Sequence, residues 1–343
     1  MVNSQAASKG IWREPQGAIP NSLALIYAVF GQIAALGLLV QPSVWAWFAG
    51  VLLAGHTLVV CAYLVHECAH MTLFRSQRLN ARVGEMVLWL TGAAYASFAR
   101  VRHMHIRHHR DRADVTCFDY QPLLERAPRW ALRLVYALEW MYIPAVELIM
   151  HYQVLVRPFT ESRFKPYRGR VLTVLASRLA LLLLLLSLSP WALLGYANAY
   201  VFMVQALFMG DAFAHTYEAY AVANADDAVP DGGRDRAYDV AHTYSNLIST
   251  RFTWLNLYNL NFGYHTAHHE RASTPWYRLP ALHRELYGSG PNPQVLPYRE
   301  LWRTLHRNRL ARIQTHDYGS VDQGTHRADG FVGAHGVSFL TIV

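Results

Sequence analysis

Four stretches of the chain are almost unbroken runs of apolar residues, at roughly 21–40, 44–65, 172–189 and 191–214. About 20 apolar residues, each rising 1.5 Å along a helix, cross a bilayer core of about 30 Å. Each stretch is therefore expected to be a spanning helix. They come in two pairs, divided by Gln41-Pro42-Ser43 and by the turn around Ser189-Pro190, so each pair reads as a membrane hairpin. Two further apolar stretches need a separate argument. Residues 86–98 are too short to cross and predict an interfacial or re-entrant helix. Residues 130–156 are long enough, but Glu139, Pro144 and Glu147 make a lone span expensive. That stretch is read as a kinked helix at the membrane interface.

Composition strengthens the membrane reading. The 343 residues are 53% hydrophobic and only 16% charged, against about 25% charged in a soluble domain. A formal charge of +8 raises the question of nucleic acid, and the placement of that charge answers it. The hairpin turns carry no Lys or Arg, whereas the long segments carry Arg100, Arg102, Arg107, Arg110 and Arg112, then Arg163, Lys165, Arg168 and Arg170. By the positive-inside rule the long segments and both termini are expected in the cytoplasm. The lipid bilayer is the expected partner, and no nucleic acid. Arg178, inside the third span, is expected to snorkel. The first twenty residues lack the pattern of a secretory leader, so the first span is expected to direct insertion. Cys61, Cys68 and Cys117 provide no disulfide framework.

Candidate chemistry lies in three short runs: His66-Glu-Cys-Ala-His70, His105-Ile-Arg-His108-His109 and His265-Thr-Ala-His268-His269. On a helix, positions i, i+3 and i+4 share a face, so the first run offers two imidazoles side by side and the others three each. Neutral imidazole is the commonest transition-metal ligand, and eight converging imidazoles exceed the needs of one ion. Two metals are the natural reading. Zinc needs three or four ligands and would leave half of these histidines idle. Two irons, with positions left open for oxygen, make the economical account. The first run also spells HExxH, the pattern of a zinc protease with Glu67 as general base. That rival explains two histidines and leaves six without a role. Requiring the second and third runs to meet demands an even number of crossings between them; 172–214 supplies two, which further argues against a span at 130–156. The scattered histidines, among them His56, His103, His151, His316, His326 and His335, are read as ordinary packing or surface residues.

The three runs, in this order and spacing, resemble the histidine boxes of the membrane fatty acid desaturase family. The text after the first box (MTLFRSQRLNARVGE) and after the third (ERASTPWYRLPALHREL) is similar to bacterial members. The resemblance covers roughly residues 40–290. It implies an all-α integral membrane fold with four spans and a cytoplasmic di-iron cap, in the inner membrane of a bacterium. It divides the chain into a cytoplasmic segment 1–20, a desaturase-like domain 21–315 and a tail 316–343. Carried over position by position, it implies iron ligation by His66, His70, His105, His108, His109, His265, His268 and His269. A further ligand in the family comes from the end of the fourth span, where His215 is the candidate and Asp211 the alternative. Glu67, Asp111, Asp114, Asp211 and Glu270 are candidates to orient the imidazoles through their outer nitrogens.

The implied activity is oxygen-dependent desaturation of a fatty acyl chain by two non-haem iron ions, with O2 as co-substrate. A hydroxylase or an acetylenase would use the same site. The chain has no His-Pro-Gly-Gly haem signature and no GxGxxG fingerprint. An external ferredoxin- or cytochrome-like electron donor with its reductase is therefore implied.

Overall fold

A computed structural model describes residues 10–217, 219–221, 229, 234–288, 292, 294–315, 317–322 and 327–343. His316 and His326 lie outside the described residues. The fold is mainly helical. The first hairpin pairs α1 (Ala18–Leu39) with α2 (Val44–Ala69), and Ser43 caps α2 by accepting from the Ala46 N–H at 3.4 Å. Next come α3 (Gln77–Leu90) and α4 (Phe98–Asp111), the strand β1 (Asp114–Thr116) and the short helix α5 (Gln121–Glu125). Two helices follow, α6 (Arg129–Trp140) and α7 (Ala145–Thr160). The second hairpin pairs α8 (Arg168–Leu188) with α9 (Pro190–Asp211).

The remaining elements are short and cover the end of the bundle where the boxes lie. They are β2 (Ala219–Ala221), α10 (Arg236–His242), β3 (Ser245–Leu247), α11 (His265–Glu270), α12 (Leu279–Tyr287), β4 (Val295–Pro297) and α13 (Tyr298–Asn308). β1 pairs in parallel with β2, and β3 with β4.

Among the described residues, four helical segments are long and apolar enough to cross a membrane: Pro15–Leu39, Val44–Ala69, Ser162–Leu188 and Pro190–Asp211. Ile19, Leu23, Ile26 and Phe30 stay exposed on the first, and Leu172, Leu179 and Leu183 on the third. Such apolar faces are what a lipid solvent requires. α2 is the buried centre of the bundle; from Thr57 to its end no residue is exposed. His56 on α2 meets the Tyr27 hydroxyl on α1 at 2.5 Å and the Tyr258 carbonyl at 3.0 Å. Arg178 turns back from inside the third span and donates to the Trp89 carbonyl and the Tyr196 hydroxyl.

Three expectations need correction. Helix α2 does not stop at residue 65 but runs through the first box. The His70 N–H still donates to the His66 carbonyl at 3.1 Å, and the helix ends only where Met71 turns left-handed (φ 58°). The stretch 86–98 is not one helix. Its first residues end α3, and 91–97 is a buried turn in which Gly92 adopts φ 86°. Ser97 then caps the start of α4. The stretch 130–156 is broken rather than kinked. Tyr142 takes φ 61° ahead of Pro144, and the Glu139 side chain caps the new helix through the Val146 N–H at 3.0 Å. Neither half is long enough to span. α6 leaves Trp130, Leu134 and Trp140 exposed, an amphipathic pattern suited to a membrane surface. The two acids that argued against a span are buried, Glu139 against Arg312 at 3.4 Å and Glu147 against the Gly336 N–H at 2.8 Å.

Candidate metal centre

Four chain segments deliver nine histidines to one place. The last turn of α2 supplies His66, with His70 at its cap. α4 carries His105, His108 and His109; its 14 residues are long enough to keep all three on one face. His215 follows the end of α9 and is held by a bridge to Thr243. α11 carries His265, His268 and His269 on only six residues, too short to stand alone. It is fixed from outside: the Ser245 hydroxyl accepts from the Thr266 N–H at 3.1 Å and meets the Thr266 hydroxyl at 2.7 Å. Gly263, just before it, lies so close to Asn246 that a Cβ would sit 2.2 Å from the Asn246 carbonyl oxygen.

The nine imidazoles divide into two sets. His66, His70, His105, His109 and His268 form one; His108, His215, His265 and His269 form the other. Within each set the ligand atoms all lie within 4.8 Å of one another. The Nε2 atoms of His70 and His105 are 2.7 Å apart, those of His109 and His268 3.2 Å, and those of His215 and His265 2.8 Å. Two nitrogens each about 2.0–2.1 Å from a common ion stand roughly 3 Å apart. His66 Nε2 and His269 Nε2 are buried with no hydrogen-bond partner among the described residues. Burial and the mutual repulsion of neighbouring imidazoliums hold His70, His105, His109 and His268 well below the usual histidine range. His215 and His265 are lowered for the same reasons. Neutral imidazoles with inward lone pairs fit a pair of metal ions.

The outer nitrogens show which acids orient the rings. Asp114 lies 3.3 Å from His108 Nδ1, which also meets the Ala113 carbonyl at 2.9 Å. Glu67 lies 3.5 Å from His66 Nδ1. Its other oxygen accepts from the Thr72 hydroxyl at 2.5 Å and the Trp276 N–H at 3.1 Å. Asp111 and Glu270 are directed elsewhere, Asp111 to Arg107 and Arg110 and Glu270 to Arg236, because each sits beside an arginine that it can neutralise. Asp211 lines the cavity beside the imidazoles, with one buried oxygen unpartnered among the described residues.

Sequence reasoning missed Asp239 on α10. Its carboxylate lies 3.1 Å from His269 Nδ1 and accepts from Tyr217 and Thr243. Thr243 in turn reaches His215 Nδ1 at 3.2 Å. Asp239 lies 30 residues from the histidine it meets, and no local spacing marks it.

No curated protein matches the chain significantly. The family model described as fatty acid desaturase matches residues 42–302, from the turn of the first hairpin to α13, with all nine histidines inside it. With four membrane-length helices, two clustered histidine sets and a match over most of its length, the chain belongs to the fatty acid desaturase family.

Proposed function

We propose that this protein is a membrane-bound non-haem di-iron desaturase that removes two hydrogens from adjacent carbons of a fatty acyl chain. The observation that carries this reading is the division of nine clustered imidazoles, buried or half-buried, into a set of five and a set of four. Each set would hold one iron: His66, His70, His105, His109 and His268 the first, and His108, His215, His265 and His269 the second. Bound there, the pair would supply the oxidising power to break an unactivated C–H bond using O2. The reaction balances as one CH2–CH2 unit, O2, two electrons and two protons giving one CH=CH unit and two waters. The electrons come from an external donor of ferredoxin or cytochrome type with its reductase. The chain's own residues fix the outer nitrogens of His66, His108, His215 and His269 and so aim their inner nitrogens at the sites. The site and both termini face the cytoplasm of a bacterial inner membrane, in keeping with the arginine-rich long segments.

The protease reading loses support at Glu67. A general base must reach a metal-bound water, and both Glu67 oxygens are engaged by His66, Thr72 and Trp276. The reading is tested by expressing the chain in a host of simple lipid profile and measuring fatty acids and bound metal together. Oxygen-dependent unsaturated products and bound iron, both lost on His268→Ala, are expected. Stoichiometric zinc without a lipid product would overturn it, and hydroxylated chains would move the reaction to the hydroxylase outcome of the same site.

A further inference from the structure

The run Val337–Val343 has no periodicity and no counterpart among the histidine boxes, yet it packs against the metal centre. A cavity of about 60 Å³ is lined both by imidazoles, among them His66, His105 and His265, and by Val337, Phe339 and Ile342. The Phe339 ring meets that of His105 edge-on, with centroids 6.4 Å apart. The segment is tethered at both ends. The Gly336 N–H donates to Glu147 at 2.8 Å, and Arg100 Nε donates to the Val343 carbonyl at 3.0 Å. Between the tethers a single 3-10 turn, Phe339–Thr341, is capped by the Ser338 hydroxyl. Leu340, Ile342 and Val343 are buried.

A second cavity of about 690 Å³ lies alongside, lined by Thr116, Met150, Tyr217, Tyr318, His335 and Gly336. Ligand pockets commonly measure roughly 300–1,000 Å³. The two cavities are neighbours across a thin partition: Asp114, Val115 and Val337 face the smaller one, Thr116 and Gly336 the larger. The partition is thus β1 and the closing segment. An apolar side chain sharing a cavity with the imidazoles is what an acyl carbon would touch when presented to them, and contact of this kind carries no charge to compete with the metals.

We propose that Val337, Phe339 and Ile342 are specificity-determining residues that position the acyl chain at the metal centre and so select the carbon oxidised. This rests on the acyl-chain reading above. Removing bulk at Phe339 lets the chain shift past the imidazoles; adding bulk obstructs it. Neither change replaces a ligand, and because Phe339 borders the His105 ring, bound iron reports any disturbance of that ligand.

The test compares Phe339→Ala, Phe339→Trp and Leu340→Ala in the full chain. Leu340 is buried in the same turn but does not line the cavity, so its variant reports loss of packing alone. Product double-bond position and chain-length range are read by mass spectrometry, with bound iron measured on each variant. Binding of the fluorescent fatty acid cis-parinaric acid is measured on the purified proteins. Phe339→Ala is expected to move the double bond or widen the chain lengths accepted. Phe339→Trp is expected to weaken parinaric acid binding roughly tenfold, about 1.4 kcal/mol. Leu340→Ala is expected to lower thermal stability and leave both readouts as in the wild type. Unchanged products and binding in both Phe339 variants would overturn the proposal, as would a product shift in Leu340→Ala equal to that in Phe339→Ala. A wild type without any acyl product sinks the desaturase reading instead. In that case parinaric acid binding decides alone: binding weakened by Phe339→Trp upholds the wall, and binding absent or unchanged removes it.

Discussion

Asp239 Oδ1 lies 3.1 Å from His269 Nδ1, while His269 Nε2 is buried with no hydrogen-bond partner among the described residues. A carboxylate can only accept, so this contact fixes the proton on Nδ1 and leaves the Nε2 lone pair facing the other imidazoles. Burial opposes the charge on Asp239, but the contacts with His269, Tyr217 and Thr243 prevail and bring its pKa down to about 2. Asp239→Asn could present either an acceptor or a donor to the ring and would no longer enforce the tautomer. Metal affinity is expected to fall about 10–100-fold with the fold intact. Chelator titration followed by metal analysis checks this, with circular dichroism as the control for folding.

His215 and His103 make a paired prediction. His215 is buried in the four-histidine set, whereas His103 is exposed on α4, out of register with its three neighbours. His215→Ala is expected to lower bound metal by about half, because the five-histidine set is untouched. His103→Ala is expected to leave it unchanged. Metal-to-protein ratios decide, and equal losses in the two variants would refute the assignment.

Gly263→Ala places a methyl group 2.2 Å from a backbone oxygen that has no rotamer with which to yield. Overpacking of this kind costs roughly 1–3 kcal/mol. The strain falls two residues before His265, so a lowered thermal midpoint and reduced metal retention are expected together. A thermal scan in detergent, with and without added metal, is the measurement.

Glu147 gives the pH dependence a definite sign. Burial pushes its carboxyl up to about 7, from an ordinary 4.5, against the help of the Gly336 N–H and Arg312. The folded state therefore holds a proton that the unfolded state releases. Below pH 4.5 both states are protonated and the penalty is absent. It grows as pH rises between 4.5 and about 7, and is complete above. Glu147→Gln keeps an acceptor for Gly336 and removes the titration. It is expected to stabilise the protein at pH 8 by on the order of 3 kcal/mol at most, and by little at pH 5. Thermal unfolding at the two pH values tests it; equal shifts at both would refute it.

The readable part of this molecule was the part encoded locally. Spans follow from runs of apolar residues, and eight of the nine clustered histidines from i, i+3, i+4 spacing on helices. His215 needed the family resemblance, since a lone histidine after a span carries no pattern. Asp239 and Thr243 were hidden because they act through space, from a polar segment without periodicity. The break at Tyr142 was hidden because a left-handed residue other than glycine leaves no mark in composition. Least legible was the closing VSFLTIV, whose burial depends on Glu147 and Arg100, each distant in sequence.

The Glu67 carboxylate joins the first box to the Trp276 N–H, 209 residues downstream. The Trp276 indole reaches further back, to Asn21 on α1 at 2.9 Å, and Arg278 meets Glu14 at 3.1 Å. A ribosome adding about 5–20 residues per second spends roughly 10–40 s between Glu67 and Trp276. Through most of that interval His66 and His70 lie at the end of a finished α2 while the third box is still unmade, with His268 of their own set and His265 and His269 of the other. A metal centre built from both sets would thus be completed only after the third box has left the ribosome, because each set takes at least one ligand from that box.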